Sequence, residues 1–223
     1  MQGVRALIFD VFGTLVDWRS GVARDVRATF RDAVDAEAFA DAWRDEYQPA
    51  MEEVRAGRMP FSKLDALHRR NLDRVLARFG IDADEATRAN LNLAWHHLDA
   101  WPDVTPALAR LRSGFLLAPC SNGNISLMAD LARRNDWHWD AILGAEHARD
   151  YKPKLEVYRA AADAFDCAPY EVLMVAAHSS DLEAAARAGL RTAFIARPDE
   201  HGPGRGESAP SHAVDQSAAD LAA

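Results

Sequence analysis

Two cysteines, Cys120 and Cys167, are too few for a disulfide framework and cannot alone make a four-ligand zinc cluster. No apolar run approaches the ~20 residues needed to span a bilayer. The N-terminus lacks the charged-then-apolar layout of a secretory signal. There is no internal repeat and no glycine-rich phosphate loop of the nucleotide-binding kinds. Positive charge is also in deficit: 26 Lys and Arg stand against 34 Asp and Glu, a formal net charge of -8. That balance argues against a general nucleic-acid binder, so an anionic small molecule must meet a local basic patch. The expectation is a cytoplasmic protein with neither a nucleic-acid nor a membrane partner.

What is present suits a soluble globular chain of 223 residues, 49% hydrophobic and 27% charged. The length admits one core, or one core with a smaller domain attached. The stretch from Val4 to Phe9 is an apolar run of strand character that ends in Asp10, with the turn Gly13-Thr14 close behind. Its simplest reading is a buried strand whose last residue emerges at the sheet edge. In open α/β sheets that carboxyl edge binds ligands. Asp10 is therefore the first candidate for chemistry, with a turn or N-capping aspartate as the alternative.

From about Ser20 to Leu98 the pattern is helical. Val26, Phe30 and Val34 recur every four residues, as do Phe39 and Trp43. Leu72, Val75, Leu76 and Phe79 follow the helical template, with Gly80 as C-cap. Asp82 with Glu85 reads as a capping box. Thr105 reads as an N-cap ahead of Pro106. From there strands and helices alternate. Strands are expected over Phe115 to Pro119, Ala141 to Leu143, Val172 to Ala176 and Thr192 to Ala196. Helices are expected over Ile125 to Arg134 and Leu155 to Phe165, and after Asp181. Pro198 to Pro210 reads as a loop, and the last dozen residues leave room for one more short strand or helix. His138, between two tryptophans, reads as part of a packing segment. The alternation implies a parallel sheet with helices on both faces, interrupted after its first strand by a helical bundle.

Polar residues sit just beyond four apolar runs: Asp10 with Thr14, Ser121 with Asn122, Lys152, and Asp181. In a parallel sheet those loops converge on one edge. Singly, each has a bland reading: Thr14 and Ser121 as turn residues, Lys152 as a solvated lysine, Asp181 as a helix cap. Together they favour a reacting centre.

Asp10-x-x-Gly13-Thr14, Ser121-Asn122-Gly123, Lys152-Pro153 and Asp181 resemble the four motifs of the haloacid dehalogenase superfamily, and the helical insertion matches its cap position. The resemblance covers nearly the whole chain. It implies an α/β, Rossmann-like parallel sheet core of residues 1–16 and 101–223 with a helical cap domain of residues 17–100. Phosphatases of this superfamily carry a second Asp two residues after the nucleophile, where this chain has Phe12. They usually have a pair of acids in the last motif, where this chain has Asp181. Too few carboxylates remain to hold a hard divalent cation well. Asp10-Val11-Phe12-Gly13-Thr14 followed by Asp17-Trp18, together with Ser121-Asn122-Gly123-Asn124, is similar to the type II L-2-haloacid dehalogenases.

That resemblance implies a hydrolase acting on carbon–halide bonds without metal or cofactor. Asp10 is then the nucleophile on C2 of a small 2-haloalkanoate. The aspartyl ester formed is hydrolysed to a 2-hydroxy acid, and halide is released. Lys152 holds Asp10 ionised, and Asp181 orients Lys152 and positions or activates water. Thr14 and Ser121 donate to Asp10 or to the substrate carboxylate. Asn122, Arg44, Phe12, Tyr158 and His178 contact substrate or halide, with His178 also readable as a residue that only fills the pocket. Arg44 also reads as a surface residue paired with Asp41 or Asp45, and Tyr158 as a core residue. The better-known members have Ser and Asn where this chain has Ala176 and His178, and the Ala-Ala-His pattern resembles a subgroup that cleaves carbon–fluorine bonds. A homodimer is implied as well. Two alternatives stay open: a Mg²⁺-dependent phosphatase or phosphonate hydrolase on the same fold, and a non-catalytic binder of small anions.

Overall fold

The computed structural model describes residues 3–223. One sheet of six parallel strands carries the fold: β1 (Ala6–Phe9), β2 (Leu116–Ser121), β3 (Leu143–Gly144), β4 (Val172–Ala176), β5 (Arg191–Ile195) and β6 (Gln216–Ala218), in the order β3-β2-β1-β4-β5-β6. β1 lies between β2 and β4. Phe9 pairs with Pro119 on one side and Val175 on the other, so the residues that follow these strands emerge side by side. β1 and β4 are buried throughout, which is why both read as unbroken apolar runs rather than alternating ones. Alternation still sorts their side chains. Leu7, Phe9, Leu173 and Val175 face one apolar cluster, and Ala6, Ile8 and Met174 face the other.

Five helices make up the insertion that follows β1: α1 (Trp18–Phe30), α2 (Ala36–Asp45), α3 (Tyr47–Arg55), α4 (Leu64–Arg78) and α5 (Glu85–Asn92). Asp17 caps α1 by accepting from the Ser20 N–H, and Asp35 caps α2 by accepting from the Ala38 N–H. Val26, Phe39, Trp43, Leu72, Leu76, Leu91 and Trp95 are buried between these helices. Phe12 joins them from the core side, edge-on to Trp95 at 5.8 Å. After the insertion come α6 (Val104–Leu111), α7 (Ile125–Arg134), α8 (Ala145–Ala148), α9 (Leu155–Asp163) and α10 (Ser179–Arg187). Among the described residues, no helix is long and apolar enough to cross a membrane.

Several local expectations are corrected. The cap of α5 is Asp84, whose carboxylate accepts from the Thr87 N–H at 2.8 Å. Asp82 lies two residues too early, and the extended backbone a cap needs falls at Asp84. α6 begins at Val104, which puts Thr105 inside the first turn. There its hydroxyl donates to Asn135 O and accepts from the Trp137 indole instead of capping. Pro106 is tolerated in that turn because the missing N–H has no helical acceptor. Gly80 has φ +67 and follows the α4 C-cap Phe79 in the left-handed position. His138 is exposed, while Trp137 is buried and Trp139 packs on Phe9.

Candidate active site

The carboxyl edge of β1, β2 and β4 gathers charge into a buried space. Asp10 follows β1 and is 7% exposed. Its Oδ1 accepts from Lys152 Nζ at 2.8 Å, and its Oδ2 from Thr14 Oγ at 2.7 Å. The Thr14 hydroxyl is oriented by accepting from the Ala177 N–H at 2.9 Å. Lys152 Nζ also donates to Asp181 Oδ2 at 2.5 Å, and the other oxygen of Asp181 accepts from Tyr158 OH. Asn122 Oδ1 accepts from the Lys152 backbone N–H at 2.9 Å, which ties the loop after β2 to the lysine. His178, at the N-cap of α10 just after β4, brings Nδ1 to 3.2 Å from Asp10 Oδ2.

The charges hold one another ionised. Burial alone would raise the Asp10 pKa; the Lys152 ammonium and then His178 outweigh it and hold the carboxyl far below the usual range. Burial disfavours the Lys152 ammonium in turn, but Asp10 and Asp181 raise its pKa above the ordinary lysine value. For His178, burial is again outweighed by Asp10 and Glu200, and the imidazole is pushed up to about 10.

These groups open onto a cavity of about 370 Å³, lined also by Phe12, Arg44, Tyr47, Gln48, Arg55 and Ser180. Arg44 does not pair with Asp41, which is held bidentately by Arg19. Its guanidinium lies over the Tyr47 ring at 4.1 Å and the Trp18 ring at 5.3 Å. Its Nη1 is buried with no hydrogen-bond partner in the protein. A guanidinium with an unpartnered donor beside a cavity suits an anion. Ser121 is not brought onto Asp10: its hydroxyl accepts from the Gly123 N–H at 3.0 Å and stays within its own turn. Tyr158 reaches Asp181 rather than the cavity. Met51 is buried away from the cavity lining.

Sequence reasoning missed Glu200. It lies in the loop after β5, is 2% exposed, and accepts from His178 Nε2 at 2.8 Å and from the Trp18 indole at 3.0 Å. A Cβ on Gly13 would stand 2.0 Å from Glu200 Oε1, so the glycine of the Asp10 motif makes room for this carboxylate. Glu207, on the same loop, accepts from the Ser179 N–H at 3.1 Å and also lines the cavity. Arg55 donates to the Lys152 carbonyl at 2.8 Å and joins α3 to the site. No periodicity marks these positions. The one available signal was the acidic character of a loop next to a basic cavity.

A family model described as a haloacid dehalogenase-like hydrolase matches residues 4–189. The chain belongs to that family. It is 30% identical to (S)-2-haloacid dehalogenase 4A of Burkholderia cepacia, over 88% of this chain and 85% of the relative. It is 29% identical to (S)-2-haloacid dehalogenase 1 of a Pseudomonas species, over 88% and 86%. Among solved structures, a defluorinating L-2-haloacid dehalogenase superposes with a TM-score of 0.95 at 46% identity, covering 98% of this chain and 92% of that one. A second L-2-haloacid dehalogenase superposes at 0.94 with 43% identity, covering 98% and 95%. Within the haloacid dehalogenase-like hydrolases the chain thus groups with L-2-haloacid dehalogenases.

Proposed function

We propose that the protein hydrolyses short (S)-2-haloalkanoic acids to (R)-2-hydroxy acids through an ester on Asp10, without a metal. The observation that carries this reading is the pairing of an ionised, lysine-held Asp10 with the Phe12 ring and the free Arg44 guanidinium across one cavity. A phosphatase needs an acid at Phe12 to protonate its leaving group; a halide leaves as an anion and needs donors and an apolar wall. Relatives in the comparisons share the substrate class.

The helical insertion, taken as a cap of residues 17–100 over a core of residues 1–16 and 101–223, supplies Arg44 and Tyr47. Arg44 takes the halide. Asn122, with Oδ1 occupied by the Lys152 N–H, has its NH₂ left for the Tyr47 hydroxyl and the substrate beside it. Asp10 attacks C2 in line, the carbon–halogen bond breaks, and the centre inverts. Lys152 keeps Asp10 anionic until that moment and offsets the substrate carboxylate. Asp181, held between Lys152 and Tyr158, orients the lysine. Water then attacks the ester carbonyl of Asp10 and releases the 2-hydroxy acid.

The reading extends to fluoroacetate. It is supported by the 46% identity with a defluorinating relative and by an extra donor, His178, beside Asp10. It also extends to a cytoplasmic homodimer, which light scattering on the purified protein checks.

The test is halide release from (S)-2-chloropropionate with chelator present, for the native enzyme and Asp10→Asn. Release by the native enzyme alone supports the proposal. No release, or equal release by both, refutes it. A fluoride electrode with fluoroacetate tests the extension.

A further inference from the structure

Asp10 has four polar neighbours, and three are committed. Lys152 is an ammonium shared with Asp181, and Asp181 has both oxygens occupied by Lys152 and Tyr158. The Thr14 hydroxyl donates to Asp10 and accepts from the Ala177 N–H. That leaves His178. The geometry points to His178 as the catalytic base of the ester-hydrolysis half-reaction and to Glu200 as the positioning residue that makes it one. This rests on the dehalogenase reading above and assigns to His178 the water step that the motif resemblance gave to Asp181.

Three observations support it. First, His178 Nδ1 lies 3.2 Å from Asp10 Oδ2, within reach of a water attacking the adjoining carboxyl carbon. Second, Nε2 on the far side of the ring is 2.8 Å from Glu200 Oε2, the arrangement that fixes an imidazole's orientation and stabilises its protonated form. Third, Glu200 is built in: its second oxygen accepts from the Trp18 indole at the start of α1, and Gly13 vacates the space it fills. The groups facing this pair are Asp10 with its Lys152, Arg44 toward Glu200, and His201 at 3.6 Å from Glu200.

Protons balance around the cycle. At rest an imidazolium lies between two carboxylates. Esterification removes the Asp10 charge, and His178 passes its proton to solvent. As water attacks the Asp10 carboxyl carbon, Nδ1 takes a proton from it. When the bond from that carbon to the substrate oxygen breaks, the proton goes to the departing 2-oxido group. Asp10 is left as an acid whose proton returns to His178. The net reaction consumes one water and releases one halide and one proton.

The test is rapid-quench halide release and intact-protein mass with (S)-2-chloropropionate, using Glu200→Gln and His178→Phe, which keeps a ring in place but removes the base. The native enzyme releases halide and hydroxy acid together. Both variants should release one halide per site and then turn over about 100-fold or more slowly, with Asp10 carrying a propionate adduct. In Glu200→Gln the pH midpoint of ester hydrolysis should also move to lower pH, which a merely structural loss would not cause. Turnover within a few-fold of native in both variants overturns the inference alone, and so does slow turnover with no adduct. No halide from the native enzyme overturns the dehalogenase reading and this inference with it.

Discussion

Replacing Lys152 with Met removes the ammonium and keeps most of the side-chain volume. Lys152 Nζ lies 2.8 Å from Asp10 and 2.5 Å from Asp181, in a side chain that is 6% exposed. The variant leaves two buried carboxylates without the cation between them. Removing one partner from a buried pair costs about 3–5 kcal/mol. At roughly 2–4 °C per kcal/mol for a chain of this size, the melting temperature near pH 8 should fall by about 6–20 °C. The pH dependence gives the sharper test. In the native protein the Asp10 pKa is depressed, so its stabilisation is present above the unfolded value near 4 and is lost only as pH falls through the depressed one. Without the ammonium, only His178 is left to oppose burial, and the Asp10 pKa rises from its depressed value. The lost stabilisation belongs to the carboxylate, and protonation relieves the deficit. The deficit against the native protein should therefore be smaller at about pH 4 than at about pH 8. Circular-dichroism melts at both values check this, with halide release abolished in parallel. A variant melting within about 2 °C of native at pH 8, or an equal deficit at both values, would refute the reasoning.

Gly13→Ala places a methyl 2.0 Å from Glu200 Oε1 at a backbone φ of +88, so it should lower both stability and ester hydrolysis; an unaffected hydrolysis rate would contradict the close approach. Burial disfavours charged His96, but its hydrogen bonds to Asp65 and Asp130 raise its pKa. Its stabilisation is thus fully present below the unfolded value near 6.5 and is lost as pH rises through the raised one, a slope that His96→Gln should abolish in urea titrations across that range. Arg44→Leu removes the guanidinium that lies over Trp18 and Tyr47, so kcat/KM for chloropropionate should fall by about 10²-fold or more, while loss of the cation–π contacts costs no more than about 2 kcal/mol in a parallel melt.

The parallel sheet was legible because β1 and β4 are buried on both faces and show as uninterrupted apolar runs. The insertion was legible because Leu72, Val75 and Leu76 keep helical spacing over a long stretch without strand character. Finer boundaries were not. Asp82 and Asp84 both precede Glu85 with acidic side chains, and only the backbone conformation at Asp84 separates them. In the site, Asp10 and Thr14 follow β1 and Asp181 opens the helix after β4, where topology brings them together, while Lys152 comes after β3 and α8. Ser121 stands at a strand end, yet its hydroxyl turns back to Gly123, a choice made by local turn geometry. Glu200 was illegible for the opposite reason. It reaches His178 across a loop of irregular backbone, and its place depends on a missing Cβ at Gly13 and an indole at Trp18, both far away in sequence.

A single turnover in H₂¹⁸O, with enzyme in excess over (S)-2-chloropropionate, tests the ester on Asp10 most directly. Water that attacks the Asp10 carboxyl carbon leaves its oxygen on the enzyme. The account predicts (R)-lactate without label and one heavy oxygen in the peptide containing Asp10. Label in the first-turnover lactate, with an unlabelled Asp10 peptide, would mean that water attacks the substrate carbon itself and would contradict the account.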